Sequence, residues 1–287
     1  MTGIPTLTSN TKTAQVVKDR NDSRGNYYPV VRNSFGLPAM ETCPGKTEFC
    51  DRFCYATVAE GRPNVAKAMR RNYELLRNAT EDEIYDKLTL SFETYKADKI
   101  RYNIPTENDV FRIHWDGDFF SIDYAEAWVR LMHDNPDTQF LVYTRSFREP
   151  VNVIPTLYGI HNLSLYISID SGNAEDALKV LAEFPKLGRA FCAADEFHAR
   201  QLAENFNKKH AFICPENSGE MPLALNGHGA CIECMMCFKK RPDILFVDEK
   251  KSRLFDIIPV KIISREERVN DSTIDAGAIA TQELVLF

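Results

Sequence analysis

Seven of the eight cysteines fall into two groups whose spacing suits metal binding. Cys43, Cys50 and Cys54 stand within twelve residues, with Pro44 and Gly45 between the first two, and are expected on a loop directly after a strand. Three thiolates can hold three irons of a 4Fe-4S cluster and leave the fourth iron open to an exogenous ligand, whereas a closed structural zinc site needs four protein ligands. The alternatives are a zinc site completed by a distant group, or simple burial of small side chains. Phe53, directly before Cys54, would shield a cluster from water, or else serve as ordinary core. The second group is Cys214, Cys231, Cys234 and Cys237, in which two gaps of two residues let a turning backbone aim successive thiolates at one centre. Four ligands close a tetrahedral zinc site or hold a second 4Fe-4S cluster, and the tight spacing leans toward iron. A second cluster would suit electron delivery to the first, while zinc would staple the segment in place. Cys192 is left over and reads as a buried structural thiol.

Polar residues at predicted strand ends form the other candidates. Asp116, Gly117 and Asp118 follow a strand over Val110 to Trp115, where the active sites of barrel folds gather. A plain Asp-Gly turn leading to a helix started by Ser121 is the bland alternative. Arg112, His114 and Asp116 alternate with Phe111, Ile113 and Trp115, so one row of that strand reads polar and the other apolar. Leu163, Leu165, Ile167 and Ile169 likewise oppose Ser164, Tyr166, Ser168 and Asp170. Ser168 and Asp170 could hydrogen-bond a ribose, and Thr144 and Arg145, ending another strand, could bind a carboxylate. Helix capping or loop satisfaction explains each of these equally well in isolation.

The elements that must position these residues alternate. Strands are expected over Tyr28–Phe35, Val110–Trp115, Gln139–Tyr143, Leu163–Ile169, Arg189–Ala193 and Ala211–Ile213, with Ile244–Val247 a candidate seventh. Helical periodicity marks Val65, Met69, Tyr73 and Leu76, then Glu81 to Tyr95, the stripe Ile122, Ala125, Val129 and Met132, the stretch around Ala177 and Leu181, and a helix that Asp195 could cap. Such alternation implies parallel pairing through right-handed crossovers, as a doubly wound sheet or a barrel. The division is a polar N-terminal segment over 1–27, the repeating strand and helix units over 28–213, and a cysteine-rich segment with its tail over 214–287. The tail ends on the apolar residues Leu284 to Phe287, a packed terminus or a subunit contact.

The remaining composition is ordinary for a globular α/β protein, with 44% hydrophobic and 26% charged residues. No stretch approaches the ~20 apolar residues needed to span a bilayer. The polar start lacks the apolar run of a secretory signal, so a cytoplasmic location is expected. In that compartment thiols stay reduced, which favours metal binding over a disulfide framework. A net charge of −6 gives no long-range pull toward nucleic acid.

The first cysteine group resembles that of radical SAM enzymes, which carry three cysteines in a loop after the first strand of a six-stranded partial barrel, commonly with an aromatic residue before the third. Phe53-Cys54 is similar in that respect, although the gaps here are six and three residues and the usual gaps are three and two. The resemblance implies a partial (β/α)6 barrel of radical-SAM type with a C-terminal cysteine-rich metal-binding segment, with S-adenosylmethionine as cofactor and an electron-donor protein as partner. It gives Asp118 the contact to the methionine amino group. More closely, the opening Cys43-Pro44, the core Cys50-Asp51-Arg52-Phe53-Cys54-Tyr55 and the later closely spaced cysteines look like the phage and bacterial gene-product-88 family. Three functions remain open: a radical-SAM-like enzyme acting on an unidentified substrate, a non-catalytic metal-binding regulatory or binding protein, and an electron-transfer protein.

Overall fold

The computed structural model describes residues 3–15, 17–19, 27–29, 31–225, 228–241 and 243–247. The predicted tail over 248–287, together with Val30 and Gly227, lies outside the described residues. Parallel strands dominate: β1 Ser34–Gly36, β2 Val110–Asp116, β3 Gln139–Thr144, β4 Leu163–Ile169, β5 Gly188–Ala193, β6 Phe212–Ile213 and β7 Asp243–Val247. They form one seven-stranded sheet in the spatial order β1-β2-β3-β4-β5-β7-β6. The candidate seventh strand is therefore real and slots between β5 and β6. The first strand is shorter than expected, because Tyr27–Pro29 instead pairs with Val17–Asp19 as a separate antiparallel ribbon.

Through five strands the order follows the sequence without a reversal, and right-handed crossovers then place successive helices on one face. That face carries α3 Pro63–Leu76, α4 Glu81–Tyr102, α5 Ile122–Asp134, α7 Ala174–Glu183 and α8 Glu196–Asn205, with the shorter α1 Glu48–Phe53, α2 Tyr55–Glu60 and α6 Ile154–Leu157 in the intervening connections. Phe111, Phe140 and Leu163 pack against Phe92, Tyr124 and Trp128, and Ile167, Phe191 and Leu245 pack against Ala177, Leu181 and Leu202. Helix starts follow local chemistry: Ser121 and Asp195 accept the Tyr124 and His198 amides, and Thr80 with Glu83 forms a capping box. α4 runs seven residues past its expected end and stops at left-handed Asn103.

The opposite strand row meets the cysteine-rich segment instead of helices of the repeat. Val110, Leu141, Tyr166, Ala190 and Ile244 pack against Ile232 and Phe238. One correction concerns β2. Two residues of β1, Ser34 and Gly36, pair with Arg112 and Asp116, so β2 carries extra residues at that point. The alternation breaks there: Ile113 and its neighbour His114 both pack toward the helix layer, His114 against Phe119 and Tyr124. His114 therefore leaves the polar row in which period-two reading places it. Among the described residues no helix is long and apolar enough to cross a membrane.

Candidate metal and cofactor site

The first cysteine segment is clamped onto the C-terminal ends of the strands by two glycines. Gly117 has φ +74°, and a Cβ there would stand 2.6 Å from Thr42 Oγ1 and 2.7 Å from Leu37 Cβ. Gly45 lies against the β3 end so tightly that a Cβ would fall 1.8 Å from the Arg145 carbonyl oxygen. The segment between is not the open loop that its Gly and Pro content suggests. Cys50 lies within α1 and Cys54 is the residue joining α1 to α2, with the Cys54 amide donating to the Cys50 carbonyl at 3.0 Å. A spacing of four puts both thiols on one side of that turn. Burial pushes the Cys43 thiol well up, and Asp118, Cys54 and Cys50 add to that, so the three sulfurs feel one another's charge. Cys54 is raised by burial, with Cys50 and Asp116 contributing. Phe53 is buried and stacked on Phe49 at 4.8 Å.

The polar strand-end residues converge and bond to one another. Asp118 Oδ1 accepts from Thr144 Oγ1 at 2.7 Å and from the Phe119 amide at 2.8 Å, while Oδ2 accepts from the Arg145 amide at 2.7 Å. Burial raises the Asp118 pKa against the pull of these donors. The Arg145 guanidinium is paired with Asp170, which also accepts from Thr47 Oγ1 at 2.7 Å and from the Gly172 amide at 2.7 Å. Thr47 Oγ1 lies 3.9 Å from Cys50 Sγ, linking this network to the thiols. Asp116 is buried beside Glu60, and burial together with that second carboxyl pushes it up to about 8. Ser168 stands half-buried on β4, with its carbonyl accepting from Asn173 Nδ2 at 3.0 Å. A cleft of about 240 Å³ opens beside Thr47, Phe49, Arg148, Asp170 and Gly172. Cys192, half-buried and not fully enclosed as expected, lines a smaller cavity with Phe49, Phe53 and His198, and burial pushes its thiol up to about 12.

The second group is held by the sheet face and by the N-terminal residues. Cys214 precedes a turn of helix, α9 Pro215–Ser218, and Cys231 and Cys234 lie on α10 Ala230–Cys234. Tyr166 donates to the Cys237 and Arg241 carbonyls at 3.1 and 2.6 Å, and Ser164 donates to the Phe238 carbonyl at 3.0 Å. The Gly229 amide donates to Ala14 O at 2.6 Å, and Lys12 pairs with Glu216. Burial pushes Cys231 up to about 11 and Cys237 up to about 12, the latter reinforced by Cys231, Cys214 and Cys234, so Cys237 lies within Coulombic reach of the other three thiols.

No disulfide joins any of the cysteines. Among the described residues no three His, Cys, Asp or Glu side chains stand close enough together to hold a single metal ion. A tetrahedral zinc would need sulfurs about 3.8 Å apart, given Zn–S bonds of about 2.3 Å. An iron-sulfur cluster spreads its thiolate ligands over a larger core. Reduced, neighbouring thiols are the donor chemistry that either group would use. Thr47, Tyr55, Lys12 and Tyr143 also stand at these sites, although the sequence assigns none of them a role. Of these, Thr47 and Tyr55 carry a local signal, by lying within or beside the first cysteine motif.

A family model described as Gene product 88 matches residues 5–240. The chain is similar to the Gene 88 protein of Mycobacterium phage L5, 36% identical over 230 residues, which cover 79% of this chain and 91% of the relative. It is similar to the Gene 88 protein of Mycobacterium phage D29 at 34% over 231 residues, with the same coverage of 79% and 91%. No solved structure matches.

Proposed function

The chain belongs to the gene product 88 family, and from that premise we propose that it is an iron-sulfur protein, a radical-SAM-like enzyme whose first cysteine group holds an open-iron 4Fe-4S cluster and whose sheet is a partial barrel of that type. The observation carrying this reading is the gathering of Cys43, Cys50 and Cys54 over strand ends that also present Asp118, Arg145 and Asp170. A cluster bound there would supply one-electron chemistry toward S-adenosylmethionine. Around it, Asp116, Gly117 and Asp118 meet the amino group, Thr144 and Arg145 meet the carboxylate, and Ser168 and Asp170 meet the ribose. Phe53 walls the thiols from water. The second group, Cys214, Cys231, Cys234 and Cys237, holds another cluster or a zinc ion, and an electron-donor protein supplies the reducing equivalent.

One observation favours a second reading, a non-catalytic metal-binding or regulatory protein on the same scaffold. Thr144, Arg145, Asp118 and Asp170 already satisfy one another, so a cofactor has to exchange those bonds for its own. An electron-transfer protein, the third possibility, predicts a reversible redox couple and no ligand in the cleft. The deciding experiment is metal and sulfide analysis with electron paramagnetic resonance on anaerobically purified protein, followed by reduction in the presence of S-adenosylmethionine. Release of 5′-deoxyadenosine or methionine that is lost in Cys50→Ala is expected. Zinc without sulfide at both groups ends the enzymatic reading, and cofactor binding without cleavage favours the second.

A further inference from the structure

The cleft of about 240 Å³ is walled by Glu48 and Phe49 of α1, by Arg148 on the Phe147–Arg148 and Val151–Asn152 hairpin, and by Asp170 and Ser171 after β4. Pockets for drug-sized ligands hold ~300–1,000 Å³, so this one suits a small molecule. Its charges are incompletely answered. Arg145 neutralises Asp170, but Glu48 and Arg148 line the same cleft without pairing with each other, and among the described residues no cation lies within ion-pair distance of Glu48. Arg148 meets Asp176 at 3.1 Å, a carboxylate that Lys179 also reaches. Its remaining bonds, to the Gly45 and Lys46 carbonyls, are long at 3.5 and 3.3 Å, so the guanidinium has donors to spare. The cleft therefore presents an open carboxylate, a cation with unused donors, and the Phe49 ring, which is held by stacking on Phe53 at 4.8 Å.

We propose that this cleft binds a zwitterionic α-amino acid, with its carboxylate on Arg148, its ammonium on Glu48 and an apolar side chain against Phe49. A guanidinium takes a carboxylate through paired N–H donors, and each unanswered group of the cleft then gains a partner of opposite sign. Other ligand classes fit worse. A phosphate ester would meet one available cation among the carboxylates of Glu48, Asp170 and Asp176, and like charges brought together cost affinity. A neutral sugar gains nothing from either charge. Phe49 directly precedes Cys50, and Thr47 joins Asp170 to the edge of the thiols, so the ligand lies beside the first cysteine group. The site itself needs no metal there; where the iron-sulfur reading also holds, the amino acid is the substrate which that reading leaves unnamed.

The test titrates the full chain with L-phenylalanine, with L-phenylalaninamide, which lacks the carboxylate, and with 3-phenylpropionate, which lacks the ammonium, and reads the dissociation constants by calorimetry. Wild type should bind L-phenylalanine about tenfold or more tightly than the amide, the worth of a hydrogen bond between charged groups. It should bind L-phenylalanine about two- to fivefold more tightly than 3-phenylpropionate, a smaller margin because Glu48 is exposed. Arg148→Gln should erase the first difference and Glu48→Gln the second, each leaving the other in place. Absence of saturable L-phenylalanine binding overturns the proposal, as does equal affinity for the three probes. Differences that survive in both variants place the ligand elsewhere and overturn it too. Should circular dichroism show a variant unfolded, the wild-type ranking of the probes decides alone. Metal and sulfide content is a separate measurement, so the iron-sulfur reading fails or holds apart from this one.

Discussion

The two cysteine groups are framed by different physics. Around the first, directional polar bonds hold the strand ends together: Asp118 to Thr144 and the Arg145 amide, Arg145 to Asp170, and Thr47 to Asp170. Around the second, the floor is largely apolar and aromatic, with Leu141, Tyr166, Ala190 and Ile244 packed against Ile232 and Phe238. A polar frame is costly to leave half-made, yet its members can exchange partners with an incoming ligand. An apolar frame is non-directional and gives nothing a polar ligand can replace. The contrast suits a first group that meets changing partners and a second that stays closed.

The sharpest way to break this comparison is to remove one partner from each frame in metal-free protein. Asp170→Ala leaves the Arg145 guanidinium inside without its carboxylate and strips acceptors from Thr47 and Gly172. A loss of about 3–5 kcal/mol in urea unfolding is expected, the range for one partner of a buried pair. Phe238→Leu removes part of a side chain that is 3% exposed and should cost about 1–2 kcal/mol, with no dependence on salt. If Asp170→Ala proves the milder of the two, the polar frame is solvated and the contrast is lost.

A pH measurement separates the frames more gently. Burial, with Arg112 nearby, holds His114 down to about 3, against an ordinary imidazole near 6.5. Above pH 6.5 His114 is neutral whether folded or unfolded. Below it only the unfolded chain takes the proton, so stability should fall by about 1.4 kcal/mol per pH unit on the way down toward pH 3. Asp116, raised to about 8, acts in the opposite sense, losing stability as pH rises from the ordinary carboxyl range toward 8. It cancels when wild type is compared with His114→Gln. The difference between those two urea midpoints should close between pH 7 and pH 5, and parallel curves would place His114 in contact with water.

Much of this was legible because parallel strands and amphipathic helices write their pattern in local sequence. β4 shows it best: Leu163, Ile167 and Ile169 reach the helix layer while Ser164 and Tyr166 reach the cysteine-rich segment, as the alternation demands. The same rule failed at His114, where the register shift beside β1 is a property of two strands and of neither alone. Cys50 and Cys54 read as a loop because Pro44 and Gly45 precede them, although four-residue spacing is also helical spacing. The convergence of Thr144, Arg145, Asp118 and Asp170 was legible as a location, but not as a closed set of mutual bonds, since partners 25–27 residues apart leave no local trace.

The smallest expected effect tests whether the polar frame and the first thiols are one unit. Thr47 donates to Asp170 at 2.7 Å and sits 3.9 Å from Cys50 Sγ. Thr47→Val keeps the shape and removes only the hydroxyl. Because Asp170 retains Arg145 and the Gly172 amide, the loss in stability should be about 1 kcal/mol, one hydrogen bond's net worth. If the two are one unit, the alkylation rate of Cys50 by iodoacetamide should change with it, since the thiol loses its polar neighbour, while Cys234 on the apolar side should react as in wild type. Equal rates at Cys50 in the two proteins would separate the frame from the thiols it adjoins.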